Sequence, residues 1–519
     1  MPEQLFIFDT PENFSLNDLK KWFSERRPVE EQPPTEIQRI YYDTFDWRLF
    51  NSGSVLEISS QRPGYLLTWR ELGGGGVLEQ LSIRRIPEFA HDLVAPGLRT
   101  RLEKALGGRS LIPKLKLKSR TSELRVINND HKTLMRFELR QDRLVPPEST
   151  KNLMLPAVVY LSPLRGFDDA YEKSVKLITR KGRLKAALQD PFLTALNALQ
   201  VDPKSFSNNL EFEFNPKQSA YEALCTVLNR HRCIMEQNIA GAREGRDPEF
   251  LHDFLHAARR SKCLLRHYHA VFPSHLIHLI RQDFEWVEEI TAPVRSLDIY
   301  LGLFDEFVTR VDAGHRKALE PLKHFLQAEK QKEHELMRVP LESPRYRRTM
   351  ERWEKILSAN SLPEDLPDDA TKPILEIASR GIYSLYQELV EKGSGVSGDD
   401  PDALLELQII EKRLGYQMET FRSLYPKDQI TPLIAALRQL QNNLNSFQNL
   451  HLQHGSLLDY SRKMQQQMRT MPVWLEAIAL LAADREKEEH KRQADFARRY
   501  DQLACRKMQK KFQKLFSPQ

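Results

Sequence analysis

The chain has 519 residues, of which 40% are hydrophobic and 29% are charged, a composition typical of a globular protein with two or three domains. Its net charge of only +6 excludes a uniformly basic surface, so any affinity for anions has to come from local clusters of cations. The four cysteines form no CxxC pair, and the first residues lack the pattern of a signal peptide. No apolar run is long enough to span a membrane. These features predict a cytoplasmic protein without bound cofactors.

Residues 1 to about 165 are rich in short runs of β-branched and aromatic residues. Gly-rich or polar turns separate these runs, most plainly at residues 73–76. A helix over residues 16–25, with Ser15 as its N-cap, interrupts them. Antiparallel strands of this length close most economically into a barrel or a strongly curved sheet. Further along, residues 210–214 are either the last strand of that sheet or a stub between domains.

Three segments of this region resemble a CYTH domain, the fold of the triphosphate tunnel metalloenzymes. Residues 41–56 follow the family pattern Y-x-D-T-x4-L-x3-G-x2-L, residues 67–70 resemble its L-T-x-K strand, and residues 163–167 resemble its closing P-L-R-G-Y segment. The resemblance predicts a degenerate CYTH-like β-barrel over residues 1–200.

The residues that carry the chemistry of active CYTH members are mostly absent from this sequence. Active members open with E-x-E-x-K, whose carboxylates hold a divalent metal on the triphosphate, and here only Glu3 of that set remains. The departures are Leu5 and Ile7 on the first strand, Glu57 and Ser59 in place of two phosphate-binding cations, and Val158, Tyr160 and Ser162 in place of the late acidic strand.

A single carboxylate holds Mg²⁺ poorly, so the resemblance implies a catalytically inactive domain, and no enzyme activity is expected. Arg70, Lys116 and Arg120 would still give the barrel a basic interior. A CYTH-type inorganic triphosphatase remains the enzymatic alternative.

From residue 217 to about 515 the hydrophobic pattern becomes almost purely helical, with Pro and Gly between the helices. Pro293 is expected just before one helix, at or near its first position, where a missing N–H is not costly. The predicted fold class is therefore α+β and multidomain, with an N-terminal antiparallel β-barrel and an all-α domain over residues 217–515.

The most distinctive helical stretch is residues 251–268, LHDFLHAARRSKCLLRHY. On a helix, one of its faces is apolar and the other carries four cations and three imidazoles, with Asp253 at the border. The polar face consists of His252, His256, Arg259, Arg260, Lys262, Arg266 and His267. Because like charges at this spacing repel by roughly a few tenths of a kcal/mol each, this face either meets solvent or binds an anion.

The order His252, Arg259-Arg260 and Lys262 resembles the signature of the CHAD family, the "conserved histidine alpha-helical domain", with Leu255 standing where the family has Arg on the cationic face. Further family landmarks follow in order. They are Arg295-Ser-Leu-Asp298-Ile, Ser343-Pro-Arg345-Tyr-Arg347-Arg348 and Lys412-Arg413-Leu414-Gly415-Tyr416-x2-Glu419. The resemblance implies two pseudo-symmetric four-helix-bundle-like halves, binding of inorganic polyphosphate and association with polyphosphate granules.

The helix equivalent to residues 251–268 in the second half keeps Lys412 and Arg413, but Leu405 replaces the His of the family signature, Gln408 its Arg and Gly415 its last Arg. Two halves related by a pseudo-twofold axis would turn these helices toward a shared cleft. The resemblance therefore places a polyphosphate site at His252, Arg259, Arg260, Lys262, Arg266, Lys412 and Arg413, with Arg295, Arg345 and Arg347 as second-rank candidates.

Nucleic acid is the alternative ligand for such a cleft. It shares the electrostatics, but the sequence has no recognised nucleic-acid motif, and Phe254 and Tyr268 lie on the apolar side of the helix. His252 and His256 have metal-ligand spacing, but no Glu accompanies them in the HExxH manner and the surrounding cations oppose Zn²⁺, so no metal is expected. The basic segment at residues 507–516 is better explained as a helix end stabilised by cations than as a site for an anionic surface.

Overall fold

The computed structural model divides the chain into two units, Met1–Asn208 and Asn209–Gln519. The structure describes residues 6–11, 14–25, 27–73, 76–128, 130–145, 153–163, 168–180, 184–206, 210–357, 366–467 and 473–517. Glu3, Leu5 and residues 164–167 of the predicted CYTH pattern lie outside the described residues.

The first unit is built on one antiparallel sheet. Its strands are β1 (Phe6–Asp9), β2 (Val29–Glu31), β3 (Thr35–Asp43), β4 (Ser54–Ser60), β5 (Tyr65–Glu71), β6 (Val77–Ile83), β7 (Ile112–Ile127), β8 (Thr133–Leu144), β9 (Leu153–Met154), β10 (Val158–Pro163) and β11 (Lys185–Ala186). The α-helices among the described residues of this unit are α1 (Leu16–Ser24), α2 (Arg48–Asn51), α3 (Pro96–Leu106), α4 (Asp168–Arg180) and α5 (Pro191–Ala198).

The strand order is β11-β1-β10-β8-β7-β3-β4-β5-β6, with β2 added beside β7 and β9 beside β8. In the described part of the chain β6 and β11 do not pair, so the sheet is a curled antiparallel half-barrel, which agrees with the predicted barrel or strongly curved sheet. One physical reason is that β11 has only two residues, which are too few to form a ladder of backbone hydrogen bonds with β6.

The second unit is helical. Its helices are α6 (Ala220–Glu244), α7 (Pro248–His267), α8 (Ser274–Gly302), α9 (Phe304–Arg310), α10 (Glu320–Glu342), α11 (Pro344–Leu357), α12 (Asp368–Thr371), α13 (Ile374–Gly393), α14 (Pro401–Thr420), α15 (Lys427–Gln467), α16 (Val473–Ala504) and α17 (Arg506–Phe516). Residues 210–214 precede α6 and form neither a strand of the sheet nor any other regular element. None of the helices in the described residues combines the length and apolar character needed to cross a bilayer.

The segments α6–α8 and α13–α15 have the same local design. The 20-residue helices α7 and α14 each begin with a Pro behind an Asp N-cap, in which Asp247 and Asp400 accept hydrogen bonds from free N–H groups of the first turn. The ring of Tyr268, at the end of α7, meets the ring of Phe421, at the end of α14, edge-on with centroids 5.8 Å apart. A twofold relation between the two segments brings the equivalent ends of α7 and α14 into contact with each other.

Pro293 lies inside α8 rather than at the start of a helix, so that expectation was wrong. A Pro in a helix interior removes one backbone hydrogen bond and costs about 3 kcal/mol. The helix continues because its apolar stripe continues on both sides of the Pro, with Phe284, Val287, Val294 and Leu297 all buried. Burial of these side chains outweighs the local cost.

Substitution of Gly381 tests the close packing of α13 against the end of α7. A Cβ at this position would lie 2.7 Å from both Cε1 and the hydroxyl oxygen of Tyr268, so we expect Gly381→Ala to lower the free energy of unfolding by about 1–3 kcal/mol. Gly455, which is exposed inside α15 with no atom within 4 Å of its Cβ position, is the matched control. Gly455→Ala should stabilise by up to about 1 kcal/mol in the same urea titration. Equal effects of the two substitutions would contradict this packing.

Candidate functional site

The apolar face of α7 fixes the direction of its cations. Leu251, Phe254, Ala258 and Leu264 are buried in the core of the helical unit. Leu255, which was assigned to the cationic face, is only 1% exposed and belongs to this buried side, so that assignment was wrong. With these residues in the core, the polar side of α7 is turned outward.

Two cations of α7 share one carboxylate on α8. Lys262 forms an ion pair with Oε2 of Glu288, and Nε of Arg259 lies 3.7 Å from Oε1 of the same group. The Arg259 side chain remains 49% exposed. Arg266, two turns after Arg259, is exposed and has no carboxylate within ion-pair distance in the described chain. One carboxylate therefore faces several cations and leaves this surface positive.

Arg260 has a different environment from its neighbours. Its Nη2 lies 3.0 Å from Oε2 of Glu419 on α14, and its guanidinium lies 4.8 Å above the ring of Tyr416. Only 11% of its side chain is exposed. The sequence grouped Arg260 with the accessible ligand-binding cations, but the structure makes it an internal link between α7 and α14.

Lys412 and Arg413 bring cations from α14 to the same place. Lys412 donates a hydrogen bond to Oε1 of Gln448 on α15 at 3.1 Å, and Nη2 of Arg413 lies 3.5 Å from Nδ1 of His267. Burial, together with the positive charge of Arg259, lowers the pKa of Lys412. No carboxylate of the described chain lies within ion-pair distance of Lys412 or Arg413. The two helices thus converge with their cations facing each other, and we name this surface the α7–α14 cleft.

Two histidines of α7, His256 and His267, are neutral at pH 7. Burial and the nearby Arg260 lower the pKa of His256 to about 3, and burial and Arg413 lower that of His267 to about 4. His252 stacks on His256 with ring centroids 5.9 Å apart. Among the described residues there is no group of three or more His, Cys, Asp or Glu side chains arranged to hold a metal.

The second-rank candidates do not gather in one place. Arg295 is half-buried on α8, where burial lowers its pKa and Asp298 and Arg259 are among the charges that act on it. Arg345 stacks over the ring of Trp286 at 4.1 Å, and Arg347 is exposed on α11. Arg295 therefore borders the cleft, whereas the two residues of α11 are not joined to it by any contact that the structure describes.

The basic C-terminal segment forms α17. Its Phe512 and Phe516 are buried, and the ring of Phe512 stacks on Tyr386 at 3.7 Å, while Lys510 and Lys511 are exposed. The helix is held to the unit by its apolar side and has its cations in solvent.

Sequence reasoning missed the residues that surround the cleft from other helices. Glu288 and Gln448 lie on α8 and α15, and no local pattern relates them to α7.

Glu411, on α14 itself, is fully buried, and neither of its carboxyl oxygens has a hydrogen-bond partner in the described chain. Burial, opposed by the charge of Lys412, raises the pKa of Glu411 to about 8, so it adds no full negative charge below the cleft at pH 7.

The interior of the half-barrel holds a cavity of about 470 Å³ with charges of both signs. Arg39 lies 2.6 Å from Glu57 and 2.7 Å from Glu138, and Arg140 lies 2.7 Å from Glu138 and 3.7 Å from Glu57. This closed ring of two guanidinium and two carboxylate groups has no net charge. Arg39 and Arg140 hold the pKa of Glu57 down at about 2 despite its burial, so the ring stays ionised.

The basic interior expected from Arg70, Lys116 and Arg120 is not present. Arg70 does line the cavity, but Asp190 pairs with it in a buried bidentate contact at 2.6 and 2.9 Å. Lys116 and Arg120 are exposed, because β7 alternates and directs Leu117 and Ser119 to its buried side. Besides Arg70, the cations that line the cavity are Arg39, Arg136 and Arg140, which the sequence pattern did not single out.

The two converging cationic helices belong to an all-α domain that follows a curled antiparallel half-barrel along the chain. Residues 226–458 match the family model of the CHAD domain. The chain thus contains a CHAD domain, as its motifs predicted.

Solved structures show similarities at low identity. The CHAD domain from the plant Ricinus communis aligns over 59% of this chain and 96% of its own, with 21% identity and a TM-score of 0.47. PptA from Streptomyces chartreusis aligns over 55% of this chain and 99% of its own, with 14% identity and a TM-score of 0.44. A candidate adenylyl cyclase from Hippeastrum, described as having a dominant triphosphatase activity, covers 37% of this chain and 95% of its own, with 13% identity and a TM-score of 0.25. No curated protein matches the sequence.

Glu411 should make stability depend on pH. Its pKa in the folded protein is about 8, above its ordinary value of 4.5, so its contribution is fully present below pH 4.5 and is lost as pH rises through 8. We expect wild type to lose roughly 3–5 kcal/mol of unfolding free energy more than Glu411→Gln between pH 5 and 9. Urea unfolding followed by helical circular dichroism measures the difference, and parallel pH profiles would show that Glu411 is not held neutral.

Proposed function

We propose that the CHAD domain binds inorganic polyphosphate along the α7–α14 cleft. The observation that carries this proposal is the convergence of Arg259 with Lys412 and Arg413 from a second helix, the latter two without a carboxylate partner in the described chain. Linear polyphosphate carries about one negative charge per phosphate and presents no base edges. A row of guanidinium and ammonium groups is therefore the chemistry that recognises it.

The carboxylates near the cleft position cations without neutralising them. Glu288 faces both Arg259 and Lys262, and Glu419 faces both Arg260 and Arg438. Each acidic group is thus shared by two basic ones. An excess of positive charge remains for a ligand, and the geometry of the side chains is set before the ligand arrives.

Repulsion between the two helices supports the same proposal. The pKa of Lys412 is lowered by burial and by Arg259, which means that its charged form is disfavoured in the unliganded protein. A phosphate group beside Lys412 would reverse this effect and favour the ammonium ion. Like charges placed together at a stability cost are typical of a binding site rather than of a structural contact.

Nucleic acid fits the cleft less well. Phe254 and Tyr268 are buried, and the ring of Tyr416 contacts the guanidinium of Arg260 and the perpendicular ring of His256. None of these aromatic rings is open for a base to stack on, so single-stranded DNA would contact only the cations.

Neutralising the accessible cations tests the proposal. We expect Arg259→Gln combined with Lys412→Gln to weaken binding of long-chain polyphosphate by about a hundredfold or more, because two charged hydrogen bonds together contribute about 3–6 kcal/mol. The slope of log affinity against log salt should also become shallower, by the amount that roughly two phosphate contacts contribute. Isothermal titration calorimetry at two salt concentrations measures both quantities.

Arg462→Gln combined with Lys463→Gln is the matched control, with the same loss of charge on the exposed surface of α15. Lys463 lies about 22 Å along that helix from Gln448. The control should bind as wild type does, and melting temperatures should be nearly the same in all three proteins. An equal loss of affinity in both double variants would mean that net charge alone determines binding.

For the half-barrel, we propose that it does not hydrolyse triphosphate. Glu57 and Glu138 are bound by Arg39 and Arg140, so neither is available as a metal ligand without breaking two ion pairs. Tripolyphosphate incubated with the protein and Mg²⁺ or Mn²⁺ should release phosphate at the rate of the buffer control. Metal-dependent hydrolysis that Glu138→Gln abolishes would overturn this assignment.

A further inference from the structure

An apolar slot of about 270 Å³ opens beside the cationic surface, between the end of α7 and the first half of α8. Its floor is formed by Leu265, Ile277 and Phe284. Leu265 and Phe284 are almost completely buried, and Phe284 is held edge-on by Trp353 with ring centroids 4.4 Å apart. Leu265 and Phe284 are thus part of the packed core, and half-buried Ile277 completes a preformed floor.

The rim of the slot is charged, and its charges are unevenly distributed. Lys262 and Arg266 form the side that belongs to α7, and Arg266 has no carboxylate partner in the described chain. On the α8 side, Arg281 is paired with Glu285 at 2.8 Å. An anionic group is therefore favoured on the α7 side and disfavoured beside Glu285.

The slot is continuous with the surface that leads to the α7–α14 cleft. Lys262 lines the slot and shares Glu288 with Arg259, which lies one helical turn earlier at a rise of about 4.5 Å. An inorganic polyphosphate chain crossing Arg259 and Arg266 would leave the apolar floor unused. A ligand whose phosphate chain ends in an uncharged flat group would cover both the cations and the floor.

We propose that this slot binds the base of a nucleoside 5′-polyphosphate, with the phosphate chain lying over Arg266 and Lys262 toward Arg259. The inference rests on the proposed polyphosphate binding and extends it to chains that carry a nucleoside at one end. The volume is below the range of about 300–1,000 Å³ that holds a whole drug-sized ligand, so the slot accepts one ring system and leaves the phosphates outside. Arg266 at the rim can stack on the base, as guanidinium groups do on aromatic faces.

Calorimetry without divalent metal, using ATP, tripolyphosphate and long-chain polyphosphate as probes, tests the proposal. Wild type should bind ATP about tenfold more tightly than tripolyphosphate. Ile277→Trp fills the slot without changing charge and should remove that advantage, leaving affinity for tripolyphosphate and for long chains within about twofold of wild type. Leu279→Trp is the control, because Leu279 is exposed on α8 and does not line the slot.

The outcomes separate this inference from the function on which it rests. If long-chain polyphosphate binds but ATP and tripolyphosphate bind equally, or if Ile277→Trp and Leu279→Trp affect ATP alike, the slot proposal is overturned and the cleft proposal stands. If long-chain polyphosphate does not bind while ATP binds and is lost with Ile277→Trp alone, the cleft proposal fails and the slot proposal is supported.

Discussion

The packing of α7 against α14 is the constraint on which the helical unit depends. The same two helices bury their apolar faces in the core and bring Arg259 close enough to Lys412 to lower the pKa of the lysine. Like charges alone would push the helices apart, so the apolar contacts and the link from Arg260 to Glu419 must hold them together. The α7–α14 cleft therefore exists only in the assembled domain, because it needs side chains from both helices.

Much of this arrangement follows from local sequence. The 3.6-residue period of α7 separates its apolar and cationic faces, and the Asp-Pro starts of α7 and α14 define their beginnings. Leu255 shows where periodicity stops being informative. It lies at the border between the two faces, and burial in the assembled domain, which the helix itself does not encode, places it with the core.

Partners from distant parts of the chain could not be predicted in the same way. Arg260 looks like its neighbour Arg259 in sequence, yet one is an internal link and the other is half exposed, because Glu419 is 159 residues away from Arg260. Pro293 was misjudged for a related reason, since the buried stripe that carries α8 past it is formed with other helices. Local signals predict which residues are charged or apolar, and tertiary contacts decide which charges remain available.

Cationic and carboxylate side chains are balanced in the interior of the half-barrel but not beside the α7–α14 cleft of the helical unit. In the half-barrel, strand register sets Arg39 opposite Ser59 and Tyr41 opposite Glu57, so Arg39 and Glu57 are diagonal neighbours on one face and pair directly. The ring that they form with Glu138 and Arg140 matches every cation with an anion, which removes the attraction for a polyanion. Beside the α7–α14 cleft, Glu288 and Glu419 are each shared between two cations, and that imbalance, rather than the number of basic residues, gives the cleft its positive field.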